Sequence, residues 1–228
     1  MKKNAKKLLC YLLGLLTISL GINISKLSAL GISPVSAIPR ACERIWGMTL
    51  GTTTMIVYIV LVLLQLVLLR RKFKPTRVLQ LALTVVFGWM VDFTGSDPNA
   101  FGHLMLNFPR PGSYVMQLVY ALVGVVVIGI GVTLYLRPHW ITLPAEGISD
   151  AVATVTGKPF GNCKSVVDTS MVMIALVMQL IFLGGFSSFA DPQVVVREGT
   201  VIAAVCIGQV VKVLTKKFGA RIEAWIER

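Results

Sequence analysis

Residues 12–51 read LLGLLTISLGINISKLSALGISPVSAIPRACERIWGMTLG, and residues 122–161 read LVGVVVIGIGVTLYLRPHWITLPAEGISDAVATVTGKPFG. Laid over one another without a gap, the two stretches agree at nine of forty positions. The matches are Leu12/Leu122, Gly14/Gly124, Ile18/Ile128, Gly21/Gly131, Pro34/Pro144, Ile38/Ile148, Ala41/Ala151, Gly47/Gly157 and Gly51/Gly161. Four of these pairs are glycine and one is proline, the residues hardest to replace on backbone grounds. The register continues loosely into the next helix, where a shift of 120 aligns Gly88 with Gly208. The chain is therefore two related units. Each has a first helix carrying spaced glycines and then a broken stretch with a proline and a short helix. A second long helix follows the G-x-x-x-G of Gly47 and Gly51 or of Gly157 and Gly161, and a shorter third helix closes the unit.

Composition says where these helices lie. The 228 residues are 55% apolar and only 14% charged, with a mean hydropathy of +0.79, against about a quarter charged in a soluble domain. Residues 8–25, 50–69, 111–136 and 169–190 carry no charge, and each run is about long enough to cross a bilayer core as a helix. The third segments have shorter uncharged cores, 78–91 and 199–211. The reading is an all-α integral membrane protein with six transmembrane helices in two three-helix repeats. Repeat one covers 1–94, with spans near 8–27, 50–70 and 77–93 and a short helix at 34–46. An outer linker covers 95–112. Repeat two covers 113–215, with spans near 114–136, 162–186 and 197–214 and a short helix at 144–156. Residues 216–228 form an amphipathic tail, with Phe218, Ile222, Trp225 and Ile226 on one face, that reads as an interfacial anchor.

Lys2, Lys3, Lys6 and Lys7 before an apolar run imitate a signal peptide. The match of 12–25 to 122–135 makes the segment the first element of a repeat instead. The net charge of +12 sits at helix ends rather than in a nucleic-acid-binding pattern. With the N-terminus inside, 17 of the 22 Lys and Arg residues fall on the cytoplasmic side and five outside, the asymmetry of a protein with both termini in the cytoplasm. Three spans per repeat then invert the second repeat relative to the first.

The short helices carry the functional expectation. Gly31-Ile32-Ser33-Pro34 is a helix start, with Ser33 able to cap and Pro34 suited to the first turn. Leu143-Pro144-Ala145-Glu146 occupies the same place. Either both helices lie flat at opposite interfaces, or both are re-entrant and aim their N-termini at a central site. Glu146 and Asp150 share one face of the second, as Arg40 and Arg44 share one face of the first. Asp168 lies two turns into a span, with Lys164 one turn before it. The pair is read either as local structure or as a site, because ionisable groups within a span are costly. The candidates for substrate or proton binding are Glu146, Asp150, Asp168, Lys164, Ser33, Ser36 and Asp92. Asp92 and Lys212 hold equivalent positions and are expected on opposite membrane faces. Gly31, Pro34, Gly47, Gly51, Pro144, Gly147, Gly157 and Gly161 are the expected breaks and hinges. Gln65, Gln179 and Gln209 are expected to bond between helices or to line a polar path. Cys10, Cys42, Cys163 and Cys206 are scattered, and neither His103 nor His139 stands near one in sequence. No metal and no cofactor is therefore expected. No G-x-S-x-G, H-E-x-x-H or P-loop appears, and no enzymatic activity is expected.

The order of these features, with SKLSALGISPVSAI at 25–38, WGMTLGTTTMIVYIVLVLLQ at 46–65, a basic turn and GWMVDF at 88–93, resembles the YczE/YyaS/YitT-like group of multi-pass bacterial membrane proteins. Gly31, Pro34, Gly47, Leu50, Gly51 and Thr52 match that group's pattern in the first half. Pro144, Gly147, Gly157 and Gly161 match it in the second, and Gly199-Thr200 resembles the entry into its last helix. Val35-Ser36 replaces the usual aromatic–acid pair, so a role for that acid does not pass to Ser36. Trp140-Ile141 stands where a glycine is more usual. The resemblance implies a bacterial cytoplasmic membrane and a permease-like protein of undefined substrate. The expectation is a small secondary transporter working by alternating access around a pseudo-two-fold site. It would meet membrane lipid and a small molecule or ion, bind no nucleic acid, and have room to dimerise. The alternatives are handling of a lipid or polyprenyl phosphate, or a non-transporting membrane partner or sensor.

Overall fold

The computed structural model describes residues 2–100, 102, 104–184 and 194–227. The described residues contain helices and no strands. The helices are α1 (Lys2–Leu27), α2 (Pro34–Trp46), α3 (Leu50–Leu69), α4 (Leu79–Phe93), α5 (Tyr114–Leu136), α6 (Pro144–Thr156), α7 (Phe160–Phe182) and α8 (Glu198–Glu227). All but α2 and α6 are long and apolar enough to cross a membrane, which makes six such helices. Their outward faces carry large apolar side chains, among them Leu63, Val67, Val115 and Ile181, as the lipid-facing side of a span requires. The tail at 216–227 is the continuation of α8. Lys6 Nζ lies 5.5 Å from the Trp225 ring centroid, Arg137 pairs with Glu223 at 2.5 Å, and Ile226 is buried. The tail is thus anchored against the starts and ends of other helices. His103, Asp191 and most of the loop around it lie outside the described residues.

At the centre α1 and α5 run antiparallel, backbone against backbone. A Cβ at Gly14 would stand 2.5 Å from Tyr135 N, one at Gly21 2.7 Å from Ile128 N, one at Gly131 2.6 Å from Ile18 N, and one at Gly124 2.2 Å from Ser25 Oγ. Glycine is therefore obligatory at Gly14, Gly21 and Gly131, where a Cβ would meet backbone, and without Cβ atoms the helices close to this distance. The contacts come in matched pairs. Gly14 meets Tyr135 as Gly124 meets Ser25, and Gly21 meets Ile128 as Gly131 meets Ile18. Outside this pair α4 packs on α1 and α8 on α5, while α2 and α6 are each held by α3 and α7.

The two broken stretches share one backbone path. Each first helix is followed by a left-handed residue that is not glycine, Ala29 (φ 58°) and His139 (φ 53°). Each short helix starts on a proline, runs for 13 residues, and stops at a left-handed glycine, Gly47 (φ 67°) or Gly157 (φ 69°). The irregular backbone at 30–33 is buried in protein, while His139 and Trp140 of the second stretch are exposed. Gly199 N donates to Leu30 O at 2.8 Å, Ile32 N donates to Thr200 Oγ1 at 3.2 Å, and Tyr11 Oη donates to Ile141 O at 2.5 Å. Such partners are what non-helical backbone needs away from water.

One difference separates the halves. In the first, α3 and α4 form a seam. A Cβ at Gly51 would stand 2.1 Å from Gly88 O, and Asp92 reaches over to take hydrogen bonds from Gly51 N and Thr49 Oγ1, both at 2.7 Å. In the second half the matching glycines, Gly161 and Gly208, have open space where a Cβ would go, and α7 and α8 make no comparable seam.

Gly21→Leu is expected to destabilise the protein by at least about 1–3 kcal/mol, the usual range for overpacking, because the added side chain meets backbone. Gly112→Ala, where a Cβ meets nothing within 4 Å, is expected to leave stability unchanged. Thermal unfolding of the two variants in detergent micelles checks this.

Candidate functional site

The missing seam between α7 and α8 is one wall of a cavity of about 690 Å³. The cavity reaches from that wall to the α1–α5 pair and takes in the starts of both short helices. Ser33, Pro34 and Ser36 line it from α2, and Leu143, Glu146 and Asp150 from α6. Lys164, Asp168 and Gly161 line it from α7. Residues far apart in sequence, from both halves of the chain, therefore meet in one space.

Each polar group has a definite state. Lys164 Nζ donates to Asp168 at 3.1 Å, the one-turn spacing on α7. Asp150 is exposed and ion-paired with Arg77, whose other contacts are Gln65 Oε1 at 3.0 Å and Gly147 O at 3.2 Å. Arg77 thereby pins α6 to the α3–α4 turn, and Gln65 adds a bond to Pro144 O at 3.3 Å. Ser33 and Ser36 bond each other at 3.2 Å across the first turn of α2. Glu146 differs. Its Oε2 is buried and has no hydrogen-bond partner, and the Tyr135 hydroxyl beside it lacks a well-formed bond as well. Burial pushes the Glu146 carboxyl above the ordinary glutamate range, against the pull of the Lys164 ammonium. Burial disfavours the charged form of a carboxyl, and a nearby cation favours it.

Of the candidates read from the sequence, Glu146, Asp150, Asp168, Lys164, Ser33 and Ser36 come together here. Asp92 does not line this cavity. It lies on the α3–α4 seam and caps the start of α3, a role its position at a span end did not announce. Gly31 (φ 99°) packs against Thr200, Gly147 faces Gln65 and Gln80, and Gln179 Oε1 accepts from Val195 N at 3.1 Å and Val196 N at 2.9 Å. Tyr58, which also lines the cavity and stacks on Phe87 at 5.9 Å, was hidden in the sequence inside a long apolar run.

A second polar cluster lies at the other end of α2. Lys26 Nζ meets Glu43 Oε1 at 2.5 Å and Arg40 Nη1 meets Glu43 Oε2 at 2.6 Å, all three being buried or nearly so. Counted by sequence, Lys26 and Arg40 are topogenic charges. In the fold they are the two sides of a buried bridge tying α1 to α2. Burial works against the Glu43 carboxylate, but Arg40 and Lys26 outweigh it and hold its carboxyl below the ordinary range.

The chain matches the family of unknown function DUF6198 over residues 5–216. It is 22% identical over 174 residues to the uncharacterised protein YyaS of Bacillus subtilis (strain 168), covering 76% of this chain and 81% of that one. No solved structure matches it.

Glu43→Gln leaves Lys26 and Arg40 buried without their counter-charge, and is expected to cost about 3 kcal/mol or more. Since the folded-state pKa of Glu43 is depressed, its contribution is present above the unfolded-state pKa and lost as pH falls through the folded one. Acidification should therefore destabilise the parent protein more than the variant, as read from unfolding temperatures across an acid pH series.

Proposed function

We propose that this chain, which belongs to the DUF6198 family of unknown function, is a small secondary transporter of the bacterial cytoplasmic membrane that works by alternating access. The observation that carries the reading is the meeting of both broken-helix starts, from halves with matched backbone paths, in one cavity holding a buried carboxyl whose Oε2 has no hydrogen-bond partner. On this reading the units are inverted repeats, and the pseudo-two-fold axis passes between α1 and α5. The matched antiparallel contacts of Gly14 and Gly124, and of Gly21 and Gly131, support it. The short helices are then re-entrant. Both termini are cytoplasmic, in keeping with the distribution of Lys and Arg.

The unequal seams supply the mechanism. The Gly51–Gly88 seam is closed and the Gly161–Gly208 seam is open. With the starts of α7 and the end of α8 on the cytoplasmic side, the cavity faces inward. The same sequence pattern in the opposite repeat gives the outward-facing state by exchange, with α7 closing on α8 while α3 leaves α4. Exchange of this kind between inverted repeats is the usual route to alternating access.

A second reading, handling of a lipid or polyprenyl phosphate, is favoured by one observation. The gap between α7 and α8 lies between two spans whose outward faces are apolar, Val166 and Val205 among them, so a chain could enter sideways. A lipid retained in stoichiometric amount through purification would favour this second reading.

Gly161→Cys is tested in a background where Cys206, the one cysteine that is not buried, is alanine. It is expected to react with a membrane-impermeant maleimide in inside-out vesicles and not in right-side-out ones. Reconstituted protein is expected to carry a solute down an imposed pH gradient, with Glu146→Gln reducing the rate at least tenfold. Gly161→Cys inert from both sides, together with no gradient-driven flux of any solute class, would overturn the transport reading.

A further inference from the structure

The charges around the cavity determine the kind of solute it takes. Three acids, Glu146, Asp150 and Asp168, and one base, Lys164, lie along its wall. Asp150 is committed to Arg77, and Asp168 to Lys164. Glu146 remains, with Oε2 buried and accepting no hydrogen bond. Lys164 also draws on Glu146, but with all three acids ionised they outnumber Lys164 and Arg77 by one, so the balance of charge at the site is negative. The positive end of α6 does not reverse this sign, since the Glu146 carboxyl already takes a bond from its own backbone N–H. The start of α2 is covered by the Ser33–Ser36 pair.

The rest of the wall is apolar. Ile18, Ile22, Ile128 and Val132 come from the central helices, and Ala203 and Ile207 from α8. At about 690 Å³ the space falls in the range of drug-sized ligand sites, roughly 300–1,000 Å³. Tyr58, buried and stacked on Phe87, backs the same wall.

We propose that the cavity binds a monovalent organic cation with an apolar body, a lipophilic amine or quaternary ammonium, with its charge on Glu146. This deepens the transport reading by naming the substrate class. The groups that face Glu146 fix the accompanying proton step. They are Tyr11 of α1, Tyr58 of α3, Tyr135 of α5, and Lys164 and Asp168 of α7. Neither α2 nor α8 contributes an ionisable group to the wall. On this proposal the empty site holds Glu146 as the neutral acid, the form favoured by a buried Oε2 that accepts no well-formed hydrogen bond. As the cation arrives the carboxyl O–H bond breaks, the proton leaves to water, and the carboxylate pairs with the bound charge. One cation in and one proton out conserves charge, which makes the site an exchanger of protons for organic cations.

Tetraphenylphosphonium and tetraphenylborate have nearly the same shape and opposite charge, and they separate this site from simple partition into detergent. The full chain, purified in an uncharged detergent, is titrated with each by isothermal calorimetry. The cation is expected to bind saturably at one site per chain and the anion at least tenfold more weakly. Cation affinity should rise with pH and then level off. In weak buffer with a pH indicator, binding should release up to one proton per chain. Glu146→Gln is expected to lose tenfold or more in cation affinity and all proton release. Glu146→Asp is expected to keep both in weakened form, which covers the case in which the amide variant fails to fold. Equal binding of the two ions, or undiminished cation binding by Glu146→Gln with an unchanged elution profile, overturns the proposal. Because the titration needs no membrane, its failure beside flux of another solute would overturn the substrate class alone. Binding without any flux would overturn transport and leave the site standing.

Discussion

The fold depends on how closely α1 and α5 approach. Two helices come into backbone contact only where no Cβ intervenes, and here Gly14, Gly21, Gly124 and Gly131 clear four successive places along the contact. Everything else is arranged around this line. The residue that ends each of these helices, Ala29 or His139, sends the chain back along the bundle. The returning segments find their hydrogen-bond partners on the central helices and on the start of α8. Both short helices then begin beside the central pair. Separating α1 from α5 would carry away both walls of the cavity and the partners of both breaks.

The two halves are made alike and closed unequally. The glycines that let α3 meet α4 have counterparts on α7 and α8 that meet nothing. Asp92, which binds the start of α3, has Lys212 as its counterpart, and a lysine cannot accept a hydrogen bond from a helix start. That substitution gives a chemical reason for the first seam to be the better latched. A structure with one latched and one unlatched seam around a shared cavity suits a protein that exchanges two states a few kcal/mol apart.

Much of this is legible in the sequence, for reasons that can be traced. Gly47 and Gly157 stop helices in a left-handed conformation that glycine alone enters freely, so their spacing marks both breaks. The one-turn spacing of Lys164 and Asp168 gives their pairing directly. Other features leave no local trace. Ala29 adopts positive φ although alanine is not a usual residue for it, so its turn leaves no mark in the sequence. Arg40 and Glu43 stand three apart on α2, but Lys26 looks like an ordinary charge at a helix end because its pairing with Glu43 joins two elements. Glu146 is recognisable as an embedded acid, but its approach to α7 and its unbonded Oε2 depend on packing between the two halves. Gly161 and Gly208 carry the same signal as Gly51 and Gly88, so sequence alone cannot tell the open seam from the closed one.

The central claim is that the two seams exchange. Spin labels on cysteines introduced at Gly161 and Gly208 report the α7–α8 seam, and labels at Thr52 and Trp89, both exposed, report the α3–α4 seam. Pulsed electron–electron distance measurements on reconstituted protein across pH and added tetraphenylphosphonium test the exchange most directly. The account predicts two populations for each pair, with the α7–α8 distance shortening in step as the α3–α4 distance lengthens. A single fixed distance at both seams under every condition, or movement of both in the same direction, would contradict it.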